Sequence, residues 1–177
     1  LRLLLDYVPN HVAPDHPWVT THPELLVNGG EADIEAEPAA WVRAAGHILA
    51  HGRDPYFPPW PDVVQLDAFS PALRAATVRT LSDIAGQCDG IRCDMAMLMI
   101  NRVFAATWGR RAGAEPDGEF WPDVIGALQR LLTGVDRRLE PLAQRVQRHP
   151  RLAVADLAER ELQLALAAEV VDANLLD

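Results

Sequence analysis

Two short apolar runs bracket one helix with both ends marked, and that pattern narrows the folds open to this 177-residue chain. The first run, LRLLLDYV at 1–8, is closed by Pro9 and polar residues, and the second is CDGIRCD at 88–94. Between them Ser70 offers an N-cap, Pro71 suits the first helical position and Gly86 supplies a stop, which predicts a helix over 71–85. Leu73, Thr77, Leu81 and Ile84 fall on one face of it. Strand, helix and strand read as one βαβ unit with parallel strands, the first ending near Val8.

An ordinary unit connects its elements with about 2–6 residues, whereas here about sixty separate the first strand from the helix. The stretch is rich in Pro, His and Trp, as in HPWVTTHPELL and HGRDPYFPPWPD. A long aromatic-bearing loop at a strand's carboxyl end is usually a functional element. Further helices are expected over 97–108 and 121–133. Past Trp121 there is no aromatic residue, and the Ala, Leu, Arg and Glu of the tail read as two plain helices near 135–148 and 155–171. Asp156 with Glu159 resembles a capping box at the start of the second.

A net charge of -9 argues against nucleic acid or an anionic membrane as a partner, and no run is long enough to span a bilayer. Cys88 and Cys93 show neither metal spacing nor a disulfide framework, which makes a reducing, cytoplasmic setting the expectation. They read as small apolar residues packing under helices. The chain opens on Leu1, in the middle of a strand-like run, and so reads as an internal piece of a longer protein.

Residues i and i+2 of a strand point to one face, so Arg92 and Asp94 project together, with Ile91 and Cys93 on the other side. An Arg beside an Asp keeps the carboxylate ionised and oriented. Such a group serves as a nucleophile or a cation ligand; equally, the pair can be a structural ion pair at a sheet edge. Asp6 ends the first strand, with Asn10 and His11 in the turn beyond it. Barrels and open sheets alike place their sites at the carboxyl ends of parallel strands. His11, His16, His22, His47 and His51, with Asp15 and Asp54, fit no zinc motif and read as polar loop residues.

DYVPNH at 6–11 resembles the first signature of the α-amylase superfamily of glycoside hydrolases, an Asp followed four and five residues later by Asn-His. GIRCD at 90–94 is similar to its second signature, Gly-x-Arg-x-Asp, and VVQLDAFSPALR at 63–74 to its lead-in to the third helix. The resemblance implies an α/β fold in which 1–12 and 70–133 form part of a (β/α)8 TIM barrel. Residues 13–69 would be a long, irregular, loop-rich subdomain inserted after the third barrel strand, and 134–177 a divergent helical tail. It also implies a retaining mechanism at an α-glucosidic bond. Asp94 matches the nucleophile, Arg92 the Arg that ionises it, and Asp6 and His11 positions that shape the glucose subsite. Asn10 matches a position that binds calcium in many members and is structural in others. Trp18, Trp41, Tyr56, Phe57 and Trp60 are either core residues of the insert or platforms for a pyranose face, with Tyr56 and Trp60, beside Pro-Pro, the ones best placed to meet ligand.

Retaining chemistry needs a second carboxyl about 5 Å from the nucleophile to protonate the leaving oxygen. Glu169, in LALAAEVVD at 164–172, is the candidate, although its surroundings also read as helix. Met97 and Leu98 stand where the family commonly has Lys-His touching the leaving-group sugar, so the substrate is better expected as an α-glucan or malto-oligosaccharide than as starch. Asp67 stands where the family more often has Asn. A complete barrel takes roughly 250 residues, so the chain supplies about three strand–helix units and is expected to be inert alone. Two functions remain open: part of an α-glucan hydrolase or transglycosylase, or a non-catalytic barrel protein with a carbohydrate-binding or interaction role.

Overall fold

The computed structural model describes residues 2–134, a mixed α/β fold. Strand β1 (Leu4–Tyr7) pairs in parallel with β6 (Gly90–Cys93), in a register that sets Leu5 beside Ile91 and Asp6 beside Arg92. The helix that returns the chain, α3, spans Pro71–Ala85, and the Ser70 hydroxyl accepts from the Leu73 N–H at 3.3 Å. Leu73, Ala76, Thr77 and Leu81 are its buried residues, and the Tyr7 hydroxyl reaches Thr77 Oγ1 at 3.4 Å. Alternation along the two strands divides their residues between faces. Leu5, Tyr7, Ile91 and Cys93 are half-buried, whereas Leu4, Asp6 and Arg92 are exposed. Asp89 closes the start of the pair, its carboxylate accepting from the Leu3 N–H at 2.9 Å. The described residues contain this two-stranded parallel sheet and no closed barrel.

The stretch between β1 and α3 is more ordered than its composition predicts. Strands β2 (His11–Val12), β3 (Trp41–Ala44), β4 (His47–Gly52) and β5 (Trp60–Gln65) form an antiparallel sheet in the order β2-β5-β4-β3. Two short helices, α1 (Pro17–Thr21) and α2 (Glu31–Ala36), precede β3. Three prolines around Trp60 hide β5 from a period-two reading. The sheet accommodates Pro61 at an irregularity, where the register slips between His51 and Gly52.

Past β6 the expected helix over 97–108 is broken. Met95 takes the left-handed conformation (φ 58°), a 3-10 turn covers Ala96–Met99, and α4 begins only at Asn101, running to Trp108. Helix α5 spans Phe120–Gly134. Arg74 of α3 joins the helices: its guanidinium donates to the Gly118 carbonyl at 2.8 Å, to Asp123 of α5 at 2.5 Å and to Asn101 Oδ1 of α4 at 3.0 Å. One hydrophobic core runs through the whole, from Val27 and Leu49 through Leu66 and Leu73 to Phe104 and Phe120. The two tail helices read from the sequence lie outside the described residues.

Candidate functional site

Asp94 follows the last residue of β6, and its N–H donates to the Tyr7 carbonyl at 2.8 Å, one step beyond the strand. The left-handed Met95 then turns the chain away, which leaves the Asp94 side chain at the rim. A left-handed backbone at a residue other than Gly, Asn or Asp carries strain that its surroundings must hold in place. In-register pairing of β1 and β6 brings a second carboxylate to the same spot. Arg92 donates through Nη1 to Asp6 Oδ2 at 3.0 Å and through Nη2 to Asp94 Oδ1 at 2.7 Å. Hydrogen bonding to Asp6, followed by the charges of Asp6 and Asp94, raises the guanidinium above its ordinary pKa. The group is open to solvent: 57 % of the Arg92 side chain, 62 % of Asp6 and 44 % of Asp94 are exposed. The sequence pattern placed these charges on an interior strand; they stand on its uncovered face, where no burial penalty applies.

His11 opens β2 and packs edge-on against Trp60, with ring centroids 5.5 Å apart. Gly52 permits that approach, since a Cβ there would stand 3.2 Å from the Trp60 ring and 2.8 Å from Val63. Burial lowers the imidazole pKa, while the charges of Asp62 and Asp94 pull it the other way, so His11 senses the Asp94 carboxylate. Behind it, Asn10 is buried in a reciprocal amide pair with Gln65 of β5. The side-chain oxygen that the family resemblance would offer to calcium accepts from Gln65 Nε2 at 2.9 Å. Among the described residues no group of three or more His, Cys, Asp or Glu is placed to hold a metal ion.

Asp6, Arg92, Asp94 and His11 thus gather, with Trp60 behind His11. Tyr56 stands apart, on the loop between β4 and β5, where Asp54 Oδ1 accepts from the N–H groups of Tyr56 and Phe57 at 2.7 and 2.9 Å. That turn holds both rings in solvent, Tyr56 73 % and Phe57 67 % exposed. Trp41 is core. Leu98 is buried and Met97 half-buried. Glu169 lies outside the described residues.

Sequence reasoning passed over Gln65 and Asp62. A lone Gln inside the apolar run VVQLD was the available signal for the first, because a buried amide must find partners. Asp62 carried no comparable mark. Cys88 and Cys93 are free thiols, and burial pushes Cys93 up to about 12, out of the nucleophile's range. No helix among the described residues is long and apolar enough to cross a membrane. No protein-family model matches the chain and no curated protein matches it.

Proposed function

We propose that this chain carries the nucleophile side of a retaining glycoside hydrolase or transglycosylase acting on α-glucans or malto-oligosaccharides, with Asp94 as the nucleophile. The observation that carries the reading is Arg92, which grips Asp94 and Asp6 at once on the open ends of two adjacent parallel strands. In this reading the uncovered face of β1 and β6 is the inner face of part of a (β/α)8 barrel. The Asp94 carboxylate attacks the anomeric carbon, the bond from that carbon to the leaving group breaks, and a glucosyl ester forms. Arg92 holds the Asp94 carboxylate in place through Oδ1, and in this reading Asp6 and His11 take sugar hydroxyls.

α-Glucosyl fluoride tests this without calling on a general acid, because fluoride leaves without being protonated. Because the chain is expected to be inert alone, the reagent is offered to it within a complete barrel, and the expected result is a chain one glucosyl group heavier, with the ester on the peptide containing Asp94 and absent from Asp94→Asn. Sugar binding without an ester would favour the second reading, a non-catalytic carbohydrate-binding barrel. That reading draws on one observation: the other carboxylate of the cluster, Asp6, is already engaged by Arg92. Neither ester nor binding would overturn both.

A further inference from the structure

Three oxygens converge on one nitrogen beneath the rim. Gln65 Nε2 stands 2.9 Å from Asn10 Oδ1, 2.9 Å from the Asn10 carbonyl and 3.0 Å from the Leu66 carbonyl. Main-chain carbonyls only accept, so the Gln65 atom facing them must be its nitrogen. The Asn10 atom facing that nitrogen must then be the oxygen. This leaves Asn10 Nδ2 to donate to Gln65 Oε1 at 3.2 Å and to face His11 Nδ1 at 3.3 Å. With a donor opposite it, Nδ1 must accept, and the ring proton of neutral His11 belongs on Nε2. Both amides are sealed from solvent, Asn10 at 1 % and Gln65 at 0 % exposure, and no buried side-chain polar atom among the described residues lacks a partner.

Calcium gathers about 6–8 oxygens at about 2.3–2.6 Å, commonly with carboxylates among them. Here two carbonyls and an amide oxygen surround a neutral N–H donor at hydrogen-bond distance, and no carboxylate joins them. We propose that Gln65 is a positioning residue: its amide takes the place a calcium ion would fill beside Asn10, and through Asn10 it fixes His11 in the Nε2–H tautomer. The rim is therefore organised without a cation, and His11 offers an N–H donor. That this donor meets a sugar hydroxyl rests on the glycosidase reading; the tautomer and the indifference to calcium do not.

Nitrogen-15 imidazole spectra of the intact chain test both, with the His11 signals assigned by their loss in His11→Gln. The expected result is a pyrrole-type Nε2 and a pyridine-type Nδ1 for neutral His11, unchanged by calcium chloride or EDTA, with an unchanged melting temperature. Asn10→Asp keeps an acceptor facing Gln65 but sets an acceptor opposite Nδ1, so the proton should move to Nδ1. A wild-type Nδ1–H tautomer, a melting temperature raised by calcium, or an Asn10→Asp protein that keeps Nε2–H would each overturn the proposal. The wild-type spectra decide the question if the variant fails to fold. Should they come out as expected while no glucosyl ester forms on Asp94, Gln65 keeps its role and the glycosidase reading falls.

Discussion

Arg92 holds two carboxylates at once, yet more than half of its side chain is in solvent. Exposed ion pairs contribute little to folding, because water screens them and the side chains lose freedom in forming them. Stability therefore does not explain why an Arg stands between Asp6 and Asp94, whereas orientation of Asp94 in the proposed reaction would. Arg92→Met is accordingly expected to melt close to wild type while losing glucosyl ester formation from α-glucosyl fluoride. A large fall in melting temperature, or an undiminished ester yield, would count against that division of roles. The cluster was legible in the sequence because two short signatures sit at strand ends, and the alternation of a strand tells which residues share a face. Asp6 and Arg92 come side by side only through the register of β1 and β6. Gln65 and Asp62 join through β5, which reaches β2 across the whole insert, a pairing that no local pattern encodes.

Helix α3 was readable end to end because its cap, its Pro and its apolar stripe agree, but what it is anchored to was not. Just ahead of it, Asp67 accepts from the Phe69 N–H at 2.9 Å, and burial raises its carboxyl from 3.8 to about 6. The folded state thus prefers the protonated form. Stability from this group is greatest in acid, declines as pH rises from near 4 through 6, and is at its lowest above that. Asp67→Asn keeps the acceptor and removes the charge. Its melting temperature should match wild type near pH 4 and exceed it at pH 7.5, by up to about 3 kcal/mol of stability. An equal difference at both pH values would refute the assignment. At the other side of α3, Arg74 is almost enclosed, and its removal takes a charged donor from Asn101 Oδ1 and leaves the Gly118 carbonyl to the Asn101 Nδ2 donor at 3.1 Å. Arg74→Met should cost about 3 kcal/mol in urea unfolding. The break at Ile100, where the backbone is extended, escaped the sequence reading because the apolar periodicity runs straight through it.

At the scale of the molecule, the stretch between β1 and α3 and the strand–helix part around it share one hydrophobic core. The Leu66 N–H donates to the Asn10 carbonyl at 2.9 Å and Arg74 Nε to the Ala68 carbonyl at 3.2 Å, so the insert is stitched to the turn after β1 and to α3. Two arginines tie it to the helices from the other side. Arg53 donates to the Thr107 carbonyl at 3.0 Å and lies over Trp108, while Arg111 pairs with Asp33 of α2. Leu49 in β4 and Phe104 in α4 are both sealed within one core. If that core is one cooperative unit, a cavity made at either end destabilises the whole of it. Leu49→Ala and Phe104→Ala should each cost about 3–5 kcal/mol and move a single transition. The decisive measurement is the urea midpoint of the backbone amide signals of α3, α4 and α5, set beside tryptophan fluorescence on the same samples. With one unit the two probes coincide, and Leu49→Ala lowers the helical midpoint although it lies in the insert. A helical midpoint that ignores Leu49→Ala would make the insert an independent body, and the Asn10–Gln65 pair would then join two bodies rather than organise one.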